Sequence, residues 1–146
     1  MMLHAHVIEF AHPQMGERVT IVASVPEAFE NADAVVAARE FRDLLFDGET
    51  NAYRLLSGVA DGYPDVIVDS FDGHLLVQWQ TEAVAKTSPE LLKTLQKLCL
   101  PKSVTEQLVT KNKRTQPVAS ERFTVCEYGL NFLVAFGEGL SPGIFL

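Results

Sequence analysis

Three groups of residues have types and spacings that could do chemistry, and each has a plainer reading beside it. His4, His6 and His12 would share one strand face, and a His-x-His pair can hold a metal ion. No carboxylate or thiolate cluster accompanies them, which favours packed or surface histidines over a metal site. Asp61, Asp65, Asp69 and Asp72 form an acidic stretch of the kind that can supply paired carboxylates for acid–base work. They alternate with Gly62, Pro64 and Gly73, so turn and strand-end roles account for them at lower cost. Gly137, Gly139 and Gly143 make a loose glycine loop where backbone could approach a ligand, without the spacing of a dinucleotide fingerprint. No Ser/His/Asp or Cys/His set is visible, and Cys126 lies on an expected strand with no base in reach. The residues alone assign no catalytic group.

Composition narrows the classes. The 146 residues fit one domain, or a small domain with an appendage, and 47% hydrophobic content supports a real core. No apolar run approaches the roughly 20 residues that span a bilayer, and the N-terminus shows no basic-then-apolar signal pattern. Cys99 and Cys126 lack metal-ligand spacing; a disulfide stays open, but reduced, buried thiols in a cytoplasmic protein fit better. A net charge of −7 repels a phosphate backbone. One segment leans the other way: residues 101–122 hold Lys102, Lys111, Lys113, Arg114 and Arg122 against Glu106 and Glu121. By composition this is a solvated loop, and an RNA contact there needs another argument.

The elements that would position these groups read as an α+β fold. Leu3 to Phe10 alternates, His12-Pro13-Gln14-Met15-Gly16 is turn chemistry, and Arg18 to Ser24 completes a β-hairpin. Helical spacing of Val35, Ala38, Arg39, Phe41, Arg42 and Leu45 predicts a linker helix from Asp33 to Phe46, capped by Asn31 or Asp33 and ended by Asp47-Gly48. Tyr53 to Ser57 predicts a strand and Gly58 to Tyr63 a turn-rich link. Val66–Phe71 and His74–Gln80 then form a hairpin across Asp72-Gly73. Ser88 and Pro89 predict the start of a helix with Leu91, Leu95 and Leu98 as its buried stripe, flanked by Leu92 and Cys99 and stopped by Pro101. Strands follow at Val104–Val109 and Phe123–Val134, the latter turning at Tyr128-Gly129. The result is a mostly antiparallel sheet with a helix on one face. The chain ends on Ile144-Phe145-Leu146, an apolar start to a further segment, which predicts a piece of a longer enzyme.

Two motifs carry a resemblance. The stretch Tyr53-Arg54-Leu55 through Gly58, Asp61-Gly62, Pro64 and Val68-Asp69-Ser70-Phe71 resembles the central domain of RlmI-like large-subunit ribosomal RNA methyltransferases. That domain has a strand-strand-helix-strand-strand order. Gly129-Leu130-Asn131-Phe132-Leu133-Val134, Gly139 and Gly143-Ile144-Phe145-Leu146 resemble the family's entry into its S-adenosylmethionine domain. Val59 departs from a frequent acid, Asp65 from a frequent glycine, and Leu140-Ser141-Pro142 from Gln-Lys-Thr. Met2 to His6, Phe10, His12-Pro13, Gly16-Glu17 and Pro26 resemble instead the closing hairpin of RluA-type pseudouridine synthases.

The resemblances imply a domain order: residues 1–30 a synthase-like hairpin, 31–49 a linker helix, 50–128 the central domain, and 129–146 the start of the cofactor domain. They imply a fused parent enzyme that methylates a base of large-subunit rRNA, cytosine C5 by family likeness, with its catalytic residues beyond this chain. Gly139, Gly143 and Phe145 would line the S-adenosylmethionine pocket. Lys111, Lys113 and Arg114 would contact ribosomal RNA. Two other readings stay open: a non-catalytic RNA- or partner-binding module, and the tail of a pseudouridine synthase.

Overall fold

The Asp72-Gly73 pair organises the centre of the fold. In the computed structural model, which describes residues 6–24, 34–46 and 48–138, both positions take positive φ, 51° and 80°, as a two-residue hairpin turn requires. Ahead of it come strands β1 (Val7–Ala11) and β2 (Arg18–Val22), helix α1 (Ala34–Leu45) and strand β3 (Ala52–Ser57). Strands β4 (Val66–Phe71) and β5 (His74–Trp79) flank the turn, and β3 pairs antiparallel with β4. Between β3 and β4 the turn-rich link forms a short 3-10 helix at Gly58–Asp61. Asp65 follows with φ 62°, the left-handed conformation that a glycine at this place would adopt without strain.

From β5 the chain crosses over through two helices where one was expected. Helix α2 (Glu82–Thr87) is capped by Thr81, whose side chain accepts from Val84 N. Helix α3 (Pro89–Cys99) follows at once. Ser88 makes no side-chain cap bond; its hydroxyl donates instead to Ala85 O at 2.9 Å. Lying directly after α2, Ser88 lacks the extended backbone from which a cap reaches forward. Pro89 does occupy the first turn, and α3 ends where Leu100 takes φ 46° before Pro101. This crossover brings strand β6 (Ser103–Leu108) into the sheet parallel to β5. The sheet order is β3-β4-β5-β6.

One face of that sheet is sealed by helices. Val35 and Ala38 of α1 and Leu91 and Leu95 of α3 pack with Leu55, Leu56, Val66, Val68, Leu75, Val77 and Trp79. A register shift between Arg54 and Leu56 lets the consecutive Leu55 and Leu56 both enter this layer. Leu98, Leu92 and Cys99 pack at its margin as partly buried groups. Phe41 and Leu45, expected on the helical stripe of α1, are more than half exposed. Helix α1 lies on β3, an edge strand, and on α3, so its buried stripe is narrow.

The opposite face is covered in part by strands β7 (Phe123–Glu127) and β8 (Leu130–Val134), which turn at Tyr128-Gly129. Val125, Val134 and Phe136 pack there with Ala52, Phe71 and Leu76. The β7–β8 pair is its own two-stranded sheet, joined to the start of β3 by Asn51 N donating to Cys126 O at 2.8 Å. The β1–β2 hairpin is a third sheet, with Val7, Ile8, Phe10, Ile21 and Val22 exposed. The fold is α+β with mostly antiparallel pairing, as expected; the parallel β5–β6 pair is the exception.

Candidate functional site

The acidic stretch is spent on structure. Asp61 accepts from Arg42 Nη1 and Nη2 at 2.8 and 2.7 Å and from Ser57 N at 2.7 Å, with both side chains largely buried. Asp69 pairs with Arg54 across β3 and β4 at 2.8 Å. Asp72 binds Lys102 and accepts from Asn51 Nδ2 at 3.2 Å. Each of these three carboxylates has a basic or amide partner distant in sequence, and this satisfies it without leaving a matched acid–base couple.

The histidines are tied to backbone. His12 Nδ1 lies 3.3 and 3.2 Å from the N–H groups of Gln14 and Met15, which donate to it within the β1–β2 turn. His6 Nδ1 lies 2.7 Å from Ala23 O. His4 falls outside the described residues. Among the described residues no cluster of three His, Cys, Asp or Glu groups could hold a metal. Cys99 and Cys126 form no disulfide, and both are partly buried.

A cavity of about 300 Å³ opens between α1 and the Asp72-Gly73 turn, lined by Phe46, Tyr53, Asn51, Ser70 and Cys99 among others. Phe46 stacks on Tyr53 with centroids 4.9 Å apart. Burial, with Asp43 nearby, pushes the Tyr53 phenol up, so it stays neutral near pH 7. Asn51 and Asp72 bond to each other, and Thr50 accepts from Tyr128 N. With its polar groups engaged, this hollow has little left to orient a ligand.

The three expected RNA-contacting residues are brought together. Lys111, Lys113 and Arg114 are all exposed, on a turn that leaves β6 at the sheet edge. Thr110 N donates to Lys113 O at 2.7 Å, and Thr110 Oγ1 accepts from Lys113 N at 3.0 Å. Thr115 then rejoins the edge strand: its N–H donates to Leu108 O at 2.9 Å, and its hydroxyl accepts from Leu108 N at 2.9 Å. Lys113 approaches Glu82 at 3.9 Å; among the described residues neither Lys111 nor Arg114 joins an ion pair. Arg122 and Lys102, counted in the same positive segment, are each paired with an acid. Within residues 101–122, the cations without a close acidic partner thus gather on this ordered turn. The threonine and glutamine bonds that order it escape sequence reading, since their partners are set by the sheet.

The expected cofactor-lining residues Gly139, Gly143 and Phe145 lie outside the described residues. Gly137 is described, and it serves the chain's own packing. At φ 80°, a Cβ there would sit 2.9 Å from both Ala119 Cα and Pro117 O. Ser120 N donates to Phe136 O at 3.0 Å and Ser120 Oγ accepts from Phe136 N at 2.8 Å, so residues 117–120 are clasped to the segment before the glycine loop. Gly137, the described member of that loop, packs against the chain's own 117–119 backbone.

No protein-family model matches the chain. Over 132 residues it is 26% identical to YwbD of Bacillus subtilis, assigned by name as a ribosomal RNA large subunit methyltransferase, covering 84% of this chain. It is 29% identical over 120 residues to ribosomal RNA large subunit methyltransferase I of Alteromonas mediterranea, covering 75% of this chain. The chain spans 33% and 30% of the lengths of these relatives. Two solved structures align over 94% of it at 20% identity. One is SMU.776, titled a methyltransferase complexed with SAH, at a TM-score of 0.66. The other is titled a SAM-dependent methyltransferase from Streptococcus mutans, at 0.65. The chain shares their fold over this part.

These likenesses correct the synthase expectation. A foreign segment at residues 1–30 would leave about four-fifths of the chain to the methyltransferase type. The alignments with methyltransferases cover 84% and 94%, so they run into that segment. The fused pseudouridine synthase has no support. Short β-hairpins with Gly and Pro turns recur widely, and a 30-residue match to one specifies little.

Proposed function

We propose that this chain is the central part of an S-adenosylmethionine-dependent enzyme that methylates a base in large-subunit ribosomal RNA. The observation that carries this reading is the likeness to YwbD over 84% of the chain, the methyltransferase fold lying beneath it. S-adenosylmethionine supplies the methyl group, and the SAH in the related SMU.776 structure is what remains after transfer. In this reading Gly139, Gly143 and Phe145 begin the cofactor pocket, and most of it belongs to the two-thirds of the relatives that this chain does not span. Cytosine C5 is the finer target, by family resemblance. A base held in structured RNA must be extruded to reach a methyl donor.

Within this chain the work is RNA contact. Lys111, Lys113 and Arg114 form the exposed, ordered cationic tip of an otherwise acidic chain. They act as an auxiliary contact to phosphates, whose neutralisation supplies sequence-independent affinity. The test uses the complete gene product, methyl-labelled S-adenosylmethionine and unmodified large-subunit rRNA: label should enter the RNA, and digestion should place it on one base. Label confined to protein, or none, contradicts the proposal. The 146-residue chain alone should show no cofactor binding by calorimetry, and micromolar binding would place the pocket within it.

A further inference from the structure

Gln107 is an unusual residue to bury on an edge strand. It is 3% exposed, and an amide in such a place is costly unless both ends are bonded. Both are. Its Oε1 accepts from Gln78 Nε2 at 3.1 Å on the neighbouring strand β5, and its Nε2 donates to Thr115 O at 2.8 Å. Gln78 and Gln107 are direct partners in the β5–β6 register, so the sheet itself fixes the orientation of the donor. The sheet thereby reaches out and holds Thr115, which closes the turn carrying Lys111, Lys113 and Arg114. At the start of the same turn, Thr110 Oγ1 accepts from Lys113 N and donates to Lys113 O.

We propose that the Gln78–Gln107–Thr115 chain, with Thr110, is a latch that pre-orders the cationic turn for a single-stranded RNA backbone. This rests on the RNA reading above. Gln107 and Thr110 are positioning residues and touch no phosphate themselves. An unlatched turn would have to be ordered on binding, at a cost in affinity. The number of phosphates it meets would stay the same, because the cations remain. Latch and cations are therefore separable by salt: loss of a cation lowers the slope of log K against log salt, whereas loss of the latch lowers K at constant slope.

The experiment titrates the complete gene product into a fluorescent uridine 12-mer RNA at several salt concentrations, with amide hydrogen exchange read over residues 109–116. Gln107→Leu keeps the volume and removes both amide bonds. Thr110→Val alters the turn alone and serves if Gln107→Leu fails to fold. Each should weaken binding about fivefold with unchanged salt slope and faster exchange in the turn. A combined Lys111→Ala, Lys113→Ala, Arg114→Ala variant should flatten the slope, by about 0.7 per lost contact. If that variant keeps the full slope, or the unsubstituted protein does not bind, the RNA reading falls. If the cations matter while the folded latch variants bind as tightly as the unsubstituted protein, only the latch falls.

Discussion

On one face of the four-stranded sheet, Leu56, Val68, Leu75 and Val77 are sealed beneath helices, with Leu95 of α3 packed on them. On the other, beyond the aromatic patch where Phe71 and Phe123 meet Phe136, polar pairs take over: Arg54 with Asp69 and Gln78 with Gln107. The first face is built by burial, which is non-directional and rewards any well-filled volume. The second is built by bonds with direction, and these can aim a loop. The cationic turn and the clasp at Phe136–Gly137 both hang from this second set. The main core and the ordering of an exposed turn thus lie on opposite sides of one sheet.

Substitutions on either side of the sheet should separate the two faces. Leu95→Ala should have the largest effect, about 2–5 kcal/mol by chemical denaturation, because it empties a fully buried site under the sheet. A change within half a kcal/mol would place α3 outside the core. Asp61→Ala should cost about 3 kcal/mol, since it strands the Arg42 guanidinium at a largely buried position. An equal loss from a surface pair such as Arg18–Glu9 would show that burial is not the cause.

Gly137→Ala sharpens the contrast on the polar face. Its Cβ meets the 117–119 backbone at a left-handed φ, for a cost of about 1–3 kcal/mol. Faster amide exchange should appear at Ser120 before the helical face responds. Uniform loosening of both faces would mean the clasp is part of the main core.

The smallest effect is a pH dependence at His74, which stacks on Phe123 at 4.2 Å and lies 2.8 Å from Ser103 Oγ through Nδ1. Burial, then Lys102, lowers its pKa below the ordinary 6.5, while Asp72 opposes them. The unfolded chain therefore takes up the proton first. Stability is complete above pH 6.5 and declines as the pH falls through 6.5 toward the folded value. His74→Gln should flatten this part of the stability–pH curve; an unchanged curve would assign the dependence to other groups.

Much of the helix-covered face was legible in the residues. Asp72-Gly73 marks its hairpin, and Leu91, Leu95 and Leu98 mark the helix that covers it, because both signals are local periods or local φ requirements. Helix α2 was not legible: six residues with only Val84 and Ala85 packed inward are too short for a helical period to emerge. Nor was the parallel direction of β6, which depends on the crossover. The cations of the candidate site were visible as composition. Their ordering was not, since it runs through Gln78 and Gln107, which lie 29 positions apart. The acidic residues were read as turn and strand-end groups; the partners Arg42, Arg54 and Lys102 that Asp61, Asp69 and Asp72 take emerge only in the fold.

We propose that the chain serves methylation of large-subunit rRNA, and mapping the methylated bases in vivo is the direct check. Large-subunit rRNA from the source organism, with the gene intact and with it deleted, is digested to nucleosides and mapped by mass spectrometry. One methylated base should disappear on deletion and return when the intact gene is restored. A complete and unchanged set of methylated bases in the deletion strain would contradict it.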